Sequence, residues 1–169
     1  VSIDTTDKIY LVGFMTAGKT TVGRALAARL DWRFHDLDRE IETRERQTVA
    51  DLFAARGEPY FRQVEREVLA QLVPVRHAVI ATGGGTFVDK WNRDVVLADG
   101  CSFWLDVTLD EVVARLPPDG RRPLAANRAQ MEALFSARRS AYQLAHVRVD
   151  ATATAVEAIV ERILDHLGW

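Results

Sequence analysis

Apolar residues fall along the chain in runs of at most about five or six, alternating with stretches where they recur every three or four positions. The run Lys8-Ile-Tyr-Leu-Val-Gly13 predicts a buried strand ending at glycine. Val22, Ala25, Leu26 and Leu30 then follow the spacing of one helix face. Phe34-His-Asp36 predicts a second strand. Thr48 followed by Asp51 predicts the capped start of a short helix with Val49, Leu52 and Phe53 on one side. Phe61, Val64, Val68 and Leu72 mark a further helix that must stop before Pro74. Ala78–Ala81 and Cys101–Leu105 read as the third and fourth strands, with Thr108 and Glu111 capping the helix after the fourth. Met131, Leu134 and Phe135 restore helical spacing, and His146–Val149 is the fifth strand. The last helix carries Val156, Ile159, Val160, Ile163, Leu164 and Leu167. Residues 1–7 are polar and predict a loose arm, and 117–127, rich in Pro, Gly and Arg, predict a mobile loop. Strands alternating with helices imply a parallel sheet covered on both faces, a three-layer α/β/α sandwich. No repeat or linker divides residues 1–169, so a single domain is expected.

Composition narrows the function classes. At 169 residues, 48% hydrophobic and 27% charged, the chain has the make-up of a globular domain rather than a disordered or fibrous one. A net charge of −2 leaves no field of the kind that non-specific nucleic-acid binders use. The arginines are scattered with no aromatic-basic strip, so no nucleic-acid partner is expected. Cys101 is the single cysteine, which excludes an internal disulfide and a cysteine zinc cluster. The apolar runs fall far short of the roughly 20 residues of a membrane helix. With no basic-then-apolar leader, a cytoplasmic location without membrane contact is expected.

Gly13-Phe-Met-Thr-Ala-Gly18-Lys19-Thr20 matches G-x-x-x-x-G-K-S/T, with an apolar strand before it and an amphipathic helix after it. In such a loop successive N–H groups point into one cavity and hold phosphate oxygens, aided by the positive end of the helix dipole. Gly13, Thr16, Ala17, Gly18, Lys19, Thr20 and Thr21 are therefore candidate nucleotide contacts. Lys19 supplies a cation for the outer phosphates and the Thr20 hydroxyl a ligand for Mg²⁺. The N-K-x-D segment with which GTPases read guanine is absent.

Asp36 and Asp38 stand two apart, so in an extended segment both point to one side. One could support Mg²⁺ and the other meet a substrate hydroxyl; a solvated acidic turn is the alternative. Arg138 shares a helix face with Leu134, Phe135 and Tyr142, and an inward arginine needs an anionic partner. A bound carboxylate suits its planar fork, whereas burying only the stem would leave its head in water. Its neighbour Arg139 is assigned to the surface. Arg62 could equally make surface ion pairs with Glu58 and Glu65. Gly83-Gly84-Gly85 allow positive φ, close ligand contact or a flexible turn. Arg121 and Arg122 are either a solvated pair or part of a lid that closes over a phosphoryl-transfer site. The four tryptophans and four histidines show no cofactor or metal spacing.

GFMTAGKT, DLD, GEPYFR, ATGGG, RRPL and RRSAY occur in the order and spacing of shikimate kinases, and from Lys8 to about Leu164 the chain resembles that family. The resemblance implies a P-loop fold like that of nucleoside monophosphate kinases, with a five-stranded parallel sheet and a lid over 117–127. It implies transfer of the ATP γ-phosphate to the 3-hydroxyl of shikimate, with Mg²⁺, by a monomer. Matched residue by residue, Lys19, Asp38 and Arg122 would be catalytic, with Thr20 and Asp36 supporting the metal and Thr82 its water shell. Arg115 would lie near adenine and Arg122 on the phosphates. Asp38, Arg62, Glu65, Gly83, Gly84, Gly85 and Arg138 would hold shikimate, its carboxylate between Arg62 and Arg138. The chain departs from the family at Thr16, where glycine is common. Paired arginines also suit other compact anions, so a kinase for gluconate or a nucleotide is a second reading, and an inactive nucleotide-binding module a third.

Overall fold

The computed structural model describes residues 6–116 and 128–169. Five strands, β1 (Lys8–Val12), β2 (Arg33–Asp36), β3 (Ala78–Ala81), β4 (Cys101–Asp106) and β5 (Val147–Asp150), form one sheet in the order β2-β3-β1-β4-β5. Every pairing is parallel; on β1, Leu11 lies opposite Ala81 of β3 and Phe103 of β4. All five residues of β1 are buried, as expected for a central strand covered on both faces, while β5 alternates buried and exposed.

Among the described residues seven helices surround the sheet: α1 (Lys19–Leu30), α2 (Leu37–Glu45), α3 (Val49–Leu72), α4 (Lys90–Asp99), α5 (Leu109–Ala114), α6 (Arg128–Tyr142) and α7 (Val156–Leu167). Alternation along β1 assigns the layers. Leu11 reaches toward Gly23 of α1, which packs with α7. Lys8 and Tyr10 point the other way, toward the ends of α3 and α4, where both meet Asp99. The phosphate-binding motif follows β1, whose connection runs toward one edge while that of β4 runs toward the other. Ligand crevices of open α/β sheets form at such a switch point.

Local signals account for several boundaries. The Thr48 and Thr108 side chains accept hydrogen bonds from Asp51 N (3.1 Å) and Glu111 N (3.4 Å), capping α3 and α5. α3 ends two residues short of Pro74. Inside α3, Gly57 (φ 78°, ψ 169°) breaks the helical path just before Pro59, so the two helices read from the sequence join across a kink.

Three expectations are corrected. Asp36 and Asp38 do not share an extended segment: Asp36 caps α2, accepting from Arg39 N at 3.3 Å, and Asp38 lies in the first helical turn. α2 buries only Leu37 and Ile41, one turn apart, too sparse a stripe to announce it. Of the arm, Thr6 is buried and hydrogen-bonded to Lys8, and the Asp7 carbonyl accepts from Ala78 N, so these two residues are tied into the sheet. Between β3 and β4, where no element was expected, the chain forms a 3-10 turn (Thr86–Val88) and α4. The expected lid, 117–127 with Arg121 and Arg122, lies outside the described residues, as do residues 1–5.

No described helix is long and apolar enough to cross a membrane.

Candidate active site

The loop after β1 is shaped by three residues at positive φ: Gly13 (147°), Thr16 (59°) and Gly18 (95°). At Gly13 a Cβ would fall 2.8 Å from the Leu105 carbonyl of β4, so only glycine lets the loop lie against the sheet. Thr16, β-branched and in the left-handed region, is held from both ends. Its hydroxyl donates to Val112 O (3.2 Å), and its carbonyl accepts from Arg115 (3.1 Å), which also pairs with Glu111. Arg115 thus sits on the phosphate loop. Ala17 N donates to Phe14 O (3.3 Å), and Gly18 is the N-cap of α1.

Lys19 is buried, its Nζ donating to the carbonyls of Gly13 and Phe14, both at 2.7 Å. The Thr20 hydroxyl donates to Asp36 Oδ2 at 2.7 Å, which brings the two candidate metal ligands together across 16 residues of sequence. Hydroxyl and carboxylate oxygens are the hard donors Mg²⁺ takes. No group of three or more His, Cys, Asp or Glu among the described residues could hold a metal alone. Thr21, the next residue of α1, is exposed. The Thr82 hydroxyl donates to Leu11 O (2.9 Å), tying the end of β3 to β1.

The triple glycine decides the other end. Gly85 has φ −99° and none of the three is among the positive-φ residues, so their role is close approach. A Cβ on Gly83 would lie 2.8 Å from Asp38 Oδ1; one on Gly84, 2.9 Å from Arg138 Nη1; one on Gly85 would overlap the Arg62 guanidinium, with Cζ at 2.8 Å. Three consecutive glycines therefore face the three candidate acceptor-binding side chains, from α2, α6 and α3. The Gly84 position is also 3.6 Å from the Met15 amide, so this cradle abuts the phosphate loop.

The two arginines are held differently. Arg62 pairs with Glu65 (3.0 Å) and Glu58 (3.4 Å). Burial pulls its pKa down, but the two carboxylates more than offset this and hold the guanidinium above its ordinary value. Arg138, 8% exposed, has its Cζ 5.8 Å from the Phe14 ring centroid and its charge beside the Tyr142 hydroxyl. Among the described residues it has no carboxylate within ion-pair range, an expensive arrangement for a buried charge in isolation.

Several partners of these residues carry no sequence motif. Glu65, fully buried, accepts from Thr86 Oγ1 (2.7 Å) and Asn92 Nδ2 (3.3 Å) as well as from Arg62. Tyr142 donates to Gly84 O, and burial pushes its pKa up to about 12 against the opposing charges of Arg138 and Arg62. Glu65, three residues after Arg62, and Tyr142, four after Arg138, were legible from helical spacing, whereas Thr86 and Asn92 were not. Arg139 is not a free surface residue: it forks onto Asp106 of β4 at 2.8 and 3.1 Å.

This geometry, a phosphate loop contiguous with a cradle of two arginines and an aspartate, agrees with three comparisons. The family model "Shikimate kinase" matches residues 15–168. A shikimate kinase of Sulfurihydrogenibium sp. is 40% identical over 157 residues, covering 92% of this chain and 95% of that protein. The crystal structure of shikimate kinase from Acinetobacter baumannii in complex with shikimate superposes with a TM-score of 0.91 at 34% identity, covering 96% and 93% of the two chains. The fold alone extends to deoxyadenosine kinase of M. mycoides, at TM-score 0.65 and 16% identity over 96% of this chain and 100% of that one. With the family match spanning nearly every element described, and Asp38, Arg62, the triple glycine and Arg138 brought together beside the phosphate loop, the chain belongs to the shikimate kinase family.

Proposed function

We propose that the chain transfers the γ-phosphate of ATP to the 3-hydroxyl of shikimate, giving shikimate 3-phosphate and ADP for aromatic amino-acid synthesis. The observation that carries this reading is the convergence of Arg62 and Arg138 on Gly85 and Gly84, beside the phosphate loop. A small acid gripped there through its carboxylate lies between a base and a bound phosphate chain.

Phosphoryl transfer asks chiefly for alignment and charge neutralisation. Arg138, buried with no carboxylate partner among the described residues, and Arg62, aimed by Glu65, fix the ring through its COO⁻ by planar forks. Asp38, against Gly83, accepts the proton of the 3-hydroxyl as that oxygen bonds to the γ-phosphorus and the β–γ bridging oxygen leaves with ADP. The Gly13–Thr20 loop amides hold the phosphates, and Lys19 exchanges the Gly13 and Phe14 carbonyls for phosphate oxygens. Arg115 orders the loop through Thr16 and borders the nucleotide. Thr20 and Asp36 are the residues that would hold Mg²⁺, which would supply positive charge to offset that of the phosphates. Arg122 enters the proposal on its motif alone, as the lid arginine.

The test is an ADP-release assay across shikimate, gluconate and nucleoside monophosphates, on wild type and Arg138→Ala. Turnover on shikimate, with its KM raised at least about tenfold in Arg138→Ala and the ATP KM nearly unchanged, supports the reading; one tenfold step is about 1.4 kcal/mol of lost charge-assisted binding. Turnover on gluconate or a nucleotide instead would move the acceptor. ATP binding without turnover on any of them would make the chain a nucleotide-binding module.

A further inference from the structure

Arg139 follows the clamp arginine on α6 and does something different with its charge. Its Nη1 and Nη2 donate to Asp106 Oδ1 and Oδ2 at 2.8 and 3.1 Å, a two-pronged pair with a side chain only 8% exposed. Arg148 of β5 completes the carboxylate, with Nε 2.8 Å and Nη2 2.7 Å from Oδ2. Both guanidinium groups lie over the Trp104 ring, at 4.9 and 5.6 Å. Asp106 ends β4, and β4 is the strand whose Leu105 carbonyl abuts Gly13.

α6 buries Met131, Ala141 and Tyr142 and is tied down at three places near the site. Phe135 meets Phe14 edge-on at 5.2 Å, Tyr142 reaches Gly84, and Arg139 grips Asp106. The void enclosed between α6, Phe14 and the end of β4 is about 10 Å³, room for roughly one water. Successive helical residues point about 100° apart, so fixing Arg139 to the sheet fixes the rotation of α6 about its axis, and with it the direction of Arg138. Arg138 has no carboxylate among the described residues to aim it, whereas Arg62 has Glu65.

We propose that Asp106 is a positioning residue: through its forked pair with Arg139 it locks the rotation of α6 and points Arg138 into the acceptor site. The inference rests on the reading of Arg138 as a carboxylate clamp. Arg148 supplies the internal control, since it pairs with the same carboxylate from β5 and makes no hydrogen bond or ion pair with the described residues of α6.

The experiment compares Asp106→Asn, Arg139→Met, Arg139→Lys and Arg148→Met with wild type and Arg138→Met. It measures shikimate affinity by calorimetry without ATP, the KM values for shikimate and ATP, and thermal unfolding. Asp106→Asn and Arg139→Met should weaken shikimate binding and raise its KM about tenfold, the scale of coupling within one ion-pair network, with the ATP KM within about twofold. Arg139→Lys keeps the charge but loses the fork and should recover part of the affinity. Arg148→Met should leave shikimate affinity within about twofold while losing comparable thermal stability. Equal effects of Arg139→Met and Arg148→Met, or equal losses for ATP and shikimate, would overturn the proposal in favour of a merely structural ion pair. If Arg139→Met does not fold, the isosteric Asp106→Asn gives the same readout. Should Arg138→Met bind shikimate normally, the clamp itself fails; should it lose affinity while Asp106→Asn and Arg139→Met do not, the clamp stands and the lock falls.

Discussion

Replacing Gly85 by alanine probes the acceptor cradle with one methyl group. The backbone of Gly85 (φ −99°, ψ −7°) suits any L-residue, so the substitution adds no conformational strain. The new Cβ, however, would stand 2.8 Å from both Cζ and Nη1 of Arg62 and nearer still to Nη2. Non-bonded carbon contacts settle at about 3.5–4.0 Å, so the guanidinium must retreat by about 1 Å. Being the end of a flexible side chain it can do so, but only by stretching its 3.0 Å bond to Glu65 and turning its fork away from the acceptor. A misplacement of about 1 Å costs on the order of a hundredfold in rate. Stability should change little, because Gly→Ala at a compatible position gains roughly 0.4–1 kcal/mol from the unfolded state. In a coupled ADP-release assay, kcat/KM for shikimate should fall ten- to about a hundredfold, with the ATP KM within about twofold and the Tm within roughly 4 °C. A folded Gly85→Ala enzyme with wild-type kcat/KM for shikimate would refute the placement of Arg62 in the acceptor clamp.

Four further outcomes follow from the same geometry. Gly13→Ala forces a side chain onto the Leu105 carbonyl at φ 147° and should cost roughly 1–3 kcal/mol in denaturant unfolding and raise the ATP KM several-fold; unchanged nucleotide binding would count against the loop's tight seat on β4. Asp38→Asn should lower kcat by about 10²–10⁴ while ADP binding, followed by calorimetry, stays intact. Chelation by EDTA should abolish turnover and excess Mg²⁺ restore it, with Thr20→Val shifting the Mg²⁺ titration to higher concentration; an indifferent Thr20→Val would remove that hydroxyl from the metal site. Burial holds His146 below its ordinary value of 6.5, and its Nδ1 accepts from Ser102 N at 3.1 Å, a role only the unprotonated nitrogen fills. The unfolded histidine protonates first, so this contribution is complete above pH 6.5 and is lost as pH falls through the lower folded pKa. The Tm advantage of wild type over His146→Ala should accordingly shrink between pH 7.5 and about 5.5, and parallel profiles would contradict the assignment.

Interactions that close within one or two helical turns could be read directly from the chain. The phosphate loop is a backbone shape dictated by Gly13, Gly18 and the strand and helix beside them. The caps at Thr48 and Thr108 are three-residue hydrogen bonds. The inward face of Arg138 follows from helical spacing alone, and the structure leaves that residue 8% exposed. By contrast α2 and α4 went unread, because so little of either is buried: Leu37 and Ile41 in one, Asn92 and Val96 in the other. Their boundaries are set by what packs beside them.

The sequence by itself determined the alternation of strands and helices, the phosphate loop and the identity of the charged groups, since each rests on neighbours a few residues away. Tertiary structure alone decided the uses of those charges. Lys8 is a fully buried cation whose partners, Leu72 O and Asp99, lie 64 and 91 residues on, and nothing near it in the chain foretells them. Arg138 and Arg139 differ by one position, yet one faces the acceptor cradle and the other is bound to a strand end 33 residues earlier. Which of two adjacent guanidinium groups meets a carboxylate of the protein depends on where the folded sheet puts Asp106, and that is a property of packing rather than of spacing.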